Sequence, residues 1–145
     1  MVAYSFRPRF VAAIKIGLGL PVQIEDRDPE STTMLLPKRQ TIRAVGDKRH
    51  AQPGEKIQLY TGMRTKHCRK IGEAVCVSVQ AIEFNVNQHS MPIMLDGALM
   101  VGGRRFRFSQ EDGFAGPDDM HAFWKAEHGL GLFKGLLIKW EPLRS

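Results

Sequence analysis

The chain reads as an α+β protein dominated by sheet: a small curled sheet or β-barrel with short flanking helices. Three observations predict this. Polar and apolar residues alternate over short runs, as in Lys56-Ile57-Gln58-Leu59-Tyr60, the pattern of a half-buried strand. Asp96-Gly97 sits between apolar runs and suits a type I′ hairpin turn. Two short segments, residues 6–17 and 116–129, carry helix start and stop residues instead. Many short strands with two small helices pack most simply as one curled sheet or barrel.

Taken in order, Pro8 fits a first helical position and Gly17 a helix stop, with Phe10, Val11 and Ile14 on the apolar side. Residues 17–36 show no clear periodicity and hold four acids, Glu25, Asp26, Asp28 and Glu30. Twenty such residues inside a compact domain read as a surface insertion. Lying directly before a basic stretch, they are placed to fold over it and screen it. Strands are expected at 40–45, 56–60 and 73–84, the last with Val75, Val77 and Val79 on one face. Gln52-Pro53-Gly54-Glu55 is a turn, and 61–70 a basic loop. The hairpin arms are 91–95 and 98–101, and 104–108 is a further strand candidate. Gly116-Pro117-Asp118-Asp119 opens a helix with proline at its start and acids in its first turn. A last strand runs over 133–140.

With 145 residues, one domain is expected. Charged residues make up 25% and apolar residues 43%, the composition of a globular chain and not of a disordered or membrane-spanning one. Residues 1–7 lack the apolar core of a signal peptide, and two cysteines make no disulfide framework, so a reduced cytoplasm is the expected compartment. The net charge of +6 is lopsided. Residues 1–72 carry 14 Lys and Arg against 6 Asp and Glu, and residues 73–145 carry 7 against 9. The segment 38–70 alone holds ten cations against Asp47 and Glu55. A basic run is ordinarily a solvated face; a basic half also steers anions, of which nucleic acid is the commonest.

That segment opens Pro37-Lys38-Arg39-Gln40-Thr41-Ile42-Arg43. In an extended strand Thr41 and Arg43 share a side and Ile42 takes the other. Lys38 joins them only if Pro37-Lys38 forms a bend before the strand, which proline favours. An amine, a hydroxyl and a guanidinium together suit a polyanion or a polarised carbonyl.

Here the chain resembles a known family. Phe6-Arg7-Pro8-Arg9-Phe10, then Lys38-Arg39-Gln40-Thr41-Ile42-Arg43, then Gln52-Pro53-Gly54-Glu55-Lys56-Ile57 looks like an ASCH domain (activating signal cointegrator homology) of the PUA-like superfamily. Gln110-Glu111-Asp112-Gly113-Phe114, with a helix ending in Phe123-Trp124, is similar to the family's acidic turn and late helix. The resemblance covers nearly the whole chain except residues 17–36. It implies a PUA-like barrel whose cleft takes a base, a nucleoside or an RNA strand. Some small bacterial members hydrolyse the amide of N4-acetylcytidine with a lysine, a threonine and a glutamate. By position these match Lys38, Thr41 and Glu111, with Arg43 helping to hold the site. Other members are RNA binders or ribonucleases, so the family fixes the fold better than the reaction.

Residue chemistry accommodates the amidohydrolase. A threonine hydroxyl needs a base to become a nucleophile. Lysine can be that base once neighbouring charge, here Arg39, Arg43 and the basic loop, lowers its pKa. Glu111 would carry a proton to the departing nitrogen, and Arg43 would hold an oxyanion or phosphate. Each residue also has an ordinary role, as strand threonine, surface lysine or acid at a helix start. Arg39, Arg64 and Lys66 are candidate phosphate contacts, and Tyr60 a candidate stacking platform for a base. The alternatives are a non-catalytic single-stranded RNA module or a ribonuclease, for which no obvious histidine pair is present. His67, Cys68 and Cys76 lack metal-ligand spacing. Gly17-Leu18-Gly19-Leu20-Pro21 lacks the third glycine of a dinucleotide fingerprint. Neither a metal nor a cofactor is expected, and a nucleoside or RNA is the expected partner, with no membrane.

Overall fold

A computed structural model describes residues 2–27 and 36–143. The chain is α+β and mainly sheet, as the alternating pattern predicts. Seven strands form one mixed sheet: β1 (Val2–Phe6), β2 (Gln40–Ala44), β3 (Lys56–Thr61), β4 (Arg69–Val86), β5 (Ile93–Leu95), β6 (Ala98–Leu99) and β7 (Gly131–Pro142). Among the described residues three α-helices accompany them: α1 (Val11–Leu18), α2 (Gly103–Glu111) and α3 (Pro117–Glu127).

The 18-residue β4 is the spine. Its first part pairs with β3 and its last part with β5, while β7 lies antiparallel along its other side and carries β2. β1 runs parallel to β3. Two bulges, where Ile71 and Val77 of β4 fall outside the register, bend the spine and curl the sheet. The barrel alternative does not hold. β1 and β2 share no ladder among the described residues, so the sheet stays open. Where that seam lies, the Arg43 guanidinium reaches from β2 to the Ser5 carbonyl of β1 at 2.8 Å.

Several sequence expectations are corrected. Residues 104–108 are helical, not extended. Arg105, Phe108, Ser109 and Asp112 turn inward at i, i+3, i+4, i+7 spacing, a period masked by the Arg-Phe-Arg-Phe alternation. The core face of β4 is Ala74, Cys76, Ile82, Phe84 and Val86, and Val77 is exposed; β-branching marked the strand but not its face. Val2–Phe6 forms a strand that the helix reading of residue 6 onward overlooked, with Tyr4 and Phe6 buried. Gly17 lies inside α1, and Gly19, at φ 73°, caps it. The hairpin stands: Asp96 and Gly97 both have positive φ, as a type I′ turn requires.

The expected insertion at 17–36 is described as far as residue 27. Asp26, with its side chain fully enclosed, binds Lys15 at 2.7 Å and Arg69 at 3.3 Å. One of the four acids therefore does reach the basic segment. The part at 28–35 lies outside the described residues. No helix among the described residues is long and apolar enough to cross a membrane.

Candidate functional site

The site begins with how the chain enters β2. Residues 36–39 are irregular, and the Lys38 amide donates to the Ala13 carbonyl of α1 at 2.9 Å. Arg39 Nε donates to the Gly17 carbonyl at 2.9 Å. This close approach explains Gly17: a Cβ there would stand 2.7 Å from the Lys38 carbonyl oxygen. The bend lets Lys38 turn to the same side as Thr41 and Arg43, and all three line one cavity of about 250 Å³.

At its floor, Lys38 is paired. Its Nζ donates to the Asp112 backbone carbonyl and lies 3.2 Å from Asp112 Oδ1. Gln40 Nε2 donates to that same carboxylate oxygen at 3.2 Å. Asp112 follows the last residue of α2, so the ammonium also sits at the negative end of that helix. Gly113 at φ +98° turns the chain there, and a Cβ on it would meet Phe10 at 2.8 Å and Lys38 Cδ at 3.1 Å. Arg43 Nε donates to Thr41 Oγ1 at 2.9 Å. That contact occupies a hydroxyl lone pair and favours loss of the hydroxyl proton.

Apolar rings make the walls. Phe6, Phe10, Phe114, Phe123 and Trp124 line the cavity, and Phe10, Phe114 and Phe123 pack mutually at centroid distances of 5.2–5.5 Å. Lys38 Nζ is 4.9 Å from the Phe10 centroid, and Arg43 Cζ is 4.9 Å from that of Phe6; ring faces attract such cations. Trp124 brings an indole N–H that is buried and has no partner among the described residues.

Burial sets the titration. It pushes the Lys38 ammonium below the ordinary lysine value; the Asp112 charge and hydrogen bond oppose this, while Arg43 and Arg9 add to it. Burial pushes the Asp112 carboxyl up, against the pull of Lys38, Gln40 and Arg43. Both partners thus resist charge, which moves the pair toward a neutral amine.

The sequence-predicted residues divide. Lys38, Thr41 and Arg43 come together. Glu111 does not join them: it is exposed, 4.0 Å from Arg107 on the outer face of α2, and its neighbour Asp112 occupies the cavity. Arg39 and Glu111 instead line a separate groove of about 840 Å³ with Arg104, Arg107 and Lys139. The expected 61–70 loop is shorter, since Thr61 ends β3 and Arg69 and Lys70 open β4, and Arg64 and Lys66 are exposed on it. Tyr60 belongs to the opposite face of β3 from buried Ile57, Leu59 and Thr61, and does not line the cavity. Sequence reasoning missed Asp112, though its helical spacing from Phe108 carries the signal. Among the described residues no three His, Cys, Asp or Glu side chains gather as a metal set. Cys68 is exposed, Cys76 buried, and both are free.

Compared with known families, curated proteins and solved structures, the chain matches none of them.

Proposed function

We propose that this chain is an ASCH-type, PUA-like domain that holds a cytosine-containing ligand in the aromatic cavity and hydrolyses an acyl amide on its N4. One observation carries the reading: the amine, hydroxyl and guanidinium of residues 38–43 meet the distant Asp112 carboxylate in a ring-walled cavity. Its volume of about 250 Å³ suits a heterocycle with a short acyl group. Asp112 supplies the carboxylate that the family resemblance assigned to Glu111, but it holds the lysine and does not carry the proton.

In this reading Lys38 acts as the base in its neutral form, toward which burial shifts it. Thr41 Oγ1 attacks the acyl carbonyl as its proton passes to Lys38. The new ammonium lies 3.2 Å from Asp112 Oδ1, which stabilises it. Arg43 faces the oxyanion of the tetrahedral intermediate. Lys38 then gives its proton to N4 as the C–N bond breaks, releasing the free cytosine amine and leaving an acyl ester on Thr41. Water, deprotonated by Lys38, attacks the ester. The hydroxyl re-forms and the carboxylic acid departs.

A non-catalytic RNA module draws less support. Lys38, Arg49, Lys56, Arg69 and Lys70 of the basic segment each pair with a carboxylate, and Arg43 turns inward, so six of its ten cations are already engaged. The deciding experiment follows cytidine release from N4-acetylcytidine. Thr41→Ala is expected to lower turnover on the order of 10³-fold or more, with an unchanged far-ultraviolet dichroism spectrum. Turnover equal to the wild type in that variant overturns the reading.

A further inference from the structure

Resting on the cavity reading above, we infer that the ligand carries an anionic group of phosphate type, which Arg7 takes over from Glu127 at the cavity mouth. The geometry points there because a second hollow adjoins the cavity. A surface hollow of about 500 Å³ lies beside it, and Arg7, Phe123 and Glu127 line both spaces. These three side chains are therefore the partition between them.

The partition is held by an ion pair. An Arg7 Nη2 lies 2.7 Å from the Glu127 carboxylate, across 120 positions of sequence. Arg7 directly follows β1, and Glu127 is the last residue of α3. The pair is wet, with side-chain exposures of 61% and 38%, and pairs of that kind contribute little to stability. Glu127 also sits at the negative end of its helix, where a carboxylate is disfavoured. Glu127 is thus a weak holder of a guanidinium that faces the mouth.

Charge on the outer side favours an anion. The hollow's cations are Arg7, Arg9 and Arg27, and its acids are Glu25, Asp26 and Glu127. Asp26 is already committed to Lys15 and Arg69, and Arg9 is held by Asp119 at 2.7 Å. Among the described residues, and counting those partners, five cations meet four carboxylates. Among the described residues an incoming phosphate competes with Glu127 alone for Arg7, and the guanidinium fork binds phosphate oxygens in two parallel hydrogen bonds. A base seated against Phe10 and Phe114 with its phosphate at Arg7 would occupy both compartments at once.

The test compares kcat/KM for N4-acetylcytidine, its 5′-monophosphate, and a dinucleotide carrying the same base. Wild type is expected to prefer a phosphate-bearing form by about tenfold. Arg7→Gln should bring that ratio to about one, and Glu127→Gln, which frees Arg7, should raise it. Preference for the monoester assigns a free nucleotide; preference for the dinucleotide assigns a strand end. If the compounds are bound but not hydrolysed, the same ratios are taken from Kd by tryptophan fluorescence. A ratio near one in wild type, or one that survives Arg7→Gln, overturns the inference and leaves the cavity reading standing. If no compound is bound or hydrolysed, the cavity reading falls and takes this inference with it.

Discussion

Lys38 and Asp112 are both enclosed, at 4% and 5% side-chain exposure, so each charge depends on the other in place of water. Removing one partner leaves an uncompensated buried charge, which costs roughly 3–5 kcal/mol, whereas replacing both by apolar groups of like size is often neutral or better. Asp112→Leu alone is therefore expected to be strongly destabilising, and Lys38→Met with Asp112→Leu close to wild type in urea midpoint. Glu111→Gln on the outer face should shift stability by less than about 0.5 kcal/mol. The pair also predicts a pH dependence. Between its lowered folded value and the ordinary 10.5, Lys38 binds a proton only in the unfolded chain, so stability rises with pH in that window. Between 3.8 and its raised folded value, Asp112 holds a proton only in the folded chain, so stability falls as pH rises there. The thermal midpoint of wild type should therefore rise relative to that of the double variant as pH climbs toward 10.5. A constant gap on the alkaline side would show that Lys38 titrates as an ordinary lysine.

Elements decide which residue of a motif faces inward. The Asp96-Gly97 hairpin, the Lys56–Thr61 strand and the Pro117 helix start were legible because turn chemistry and period-2 alternation are local. α2 was not, because Arg104 to Phe108 alternates like a strand while its inward set repeats at helical spacing. That one period inverts the choice of carboxylate, since a helical step of about 100° separates Asp112 from Glu111. Lys38 and Thr41 were legible as a motif, but their meeting depended on the bend over α1, a tertiary contact that Gly17 makes possible. Gly17→Ala tests this dependence. Its Cβ would lie 2.7 Å from backbone oxygen, which cannot swing aside like a side-chain tip. The substitution favours the helix locally, yet the overpacking is expected to cost about 1–3 kcal/mol and to move Lys38 relative to Thr41. A more stable Gly17→Ala protein would mean that the segment carrying Lys38 can lift off α1 freely.

At the scale of the molecule, a curled sheet that does not close must hold its two ends by other means. β1 and β2 belong to opposite ends of the ladder order, yet the cavity draws Ser5 and Phe6 from one, with Arg7 just after it, and Thr41, Ile42 and Arg43 from the other. Arg43 spans the gap. Its Nη2 donates to the Ser5 carbonyl at 2.8 Å and its Nε to Thr41 Oγ1 at 2.9 Å, with the guanidinium carbon 5.0 Å from the Tyr4 centroid and 4.9 Å from that of Phe6. A planar fork serves the seam and the hydroxyl from two nitrogens at fixed spacing. Arg43→Lys keeps the charge but offers one nitrogen on a shorter stem, so one of the two contacts is expected to be lost. Hydrogen bonds from charged donors are worth roughly 1.5–3 kcal/mol each, so the urea midpoint should fall by a corresponding amount with the slope unchanged. Amide exchange should quicken along β1 and β2, while the β4–β7 ladder, which does not depend on Arg43, keeps its protection. Equal exchange at β1 and β2 in wild type and Arg43→Lys would show that the seam is held by packing of Tyr4 and Phe6 alone, and that Arg43 serves only Thr41.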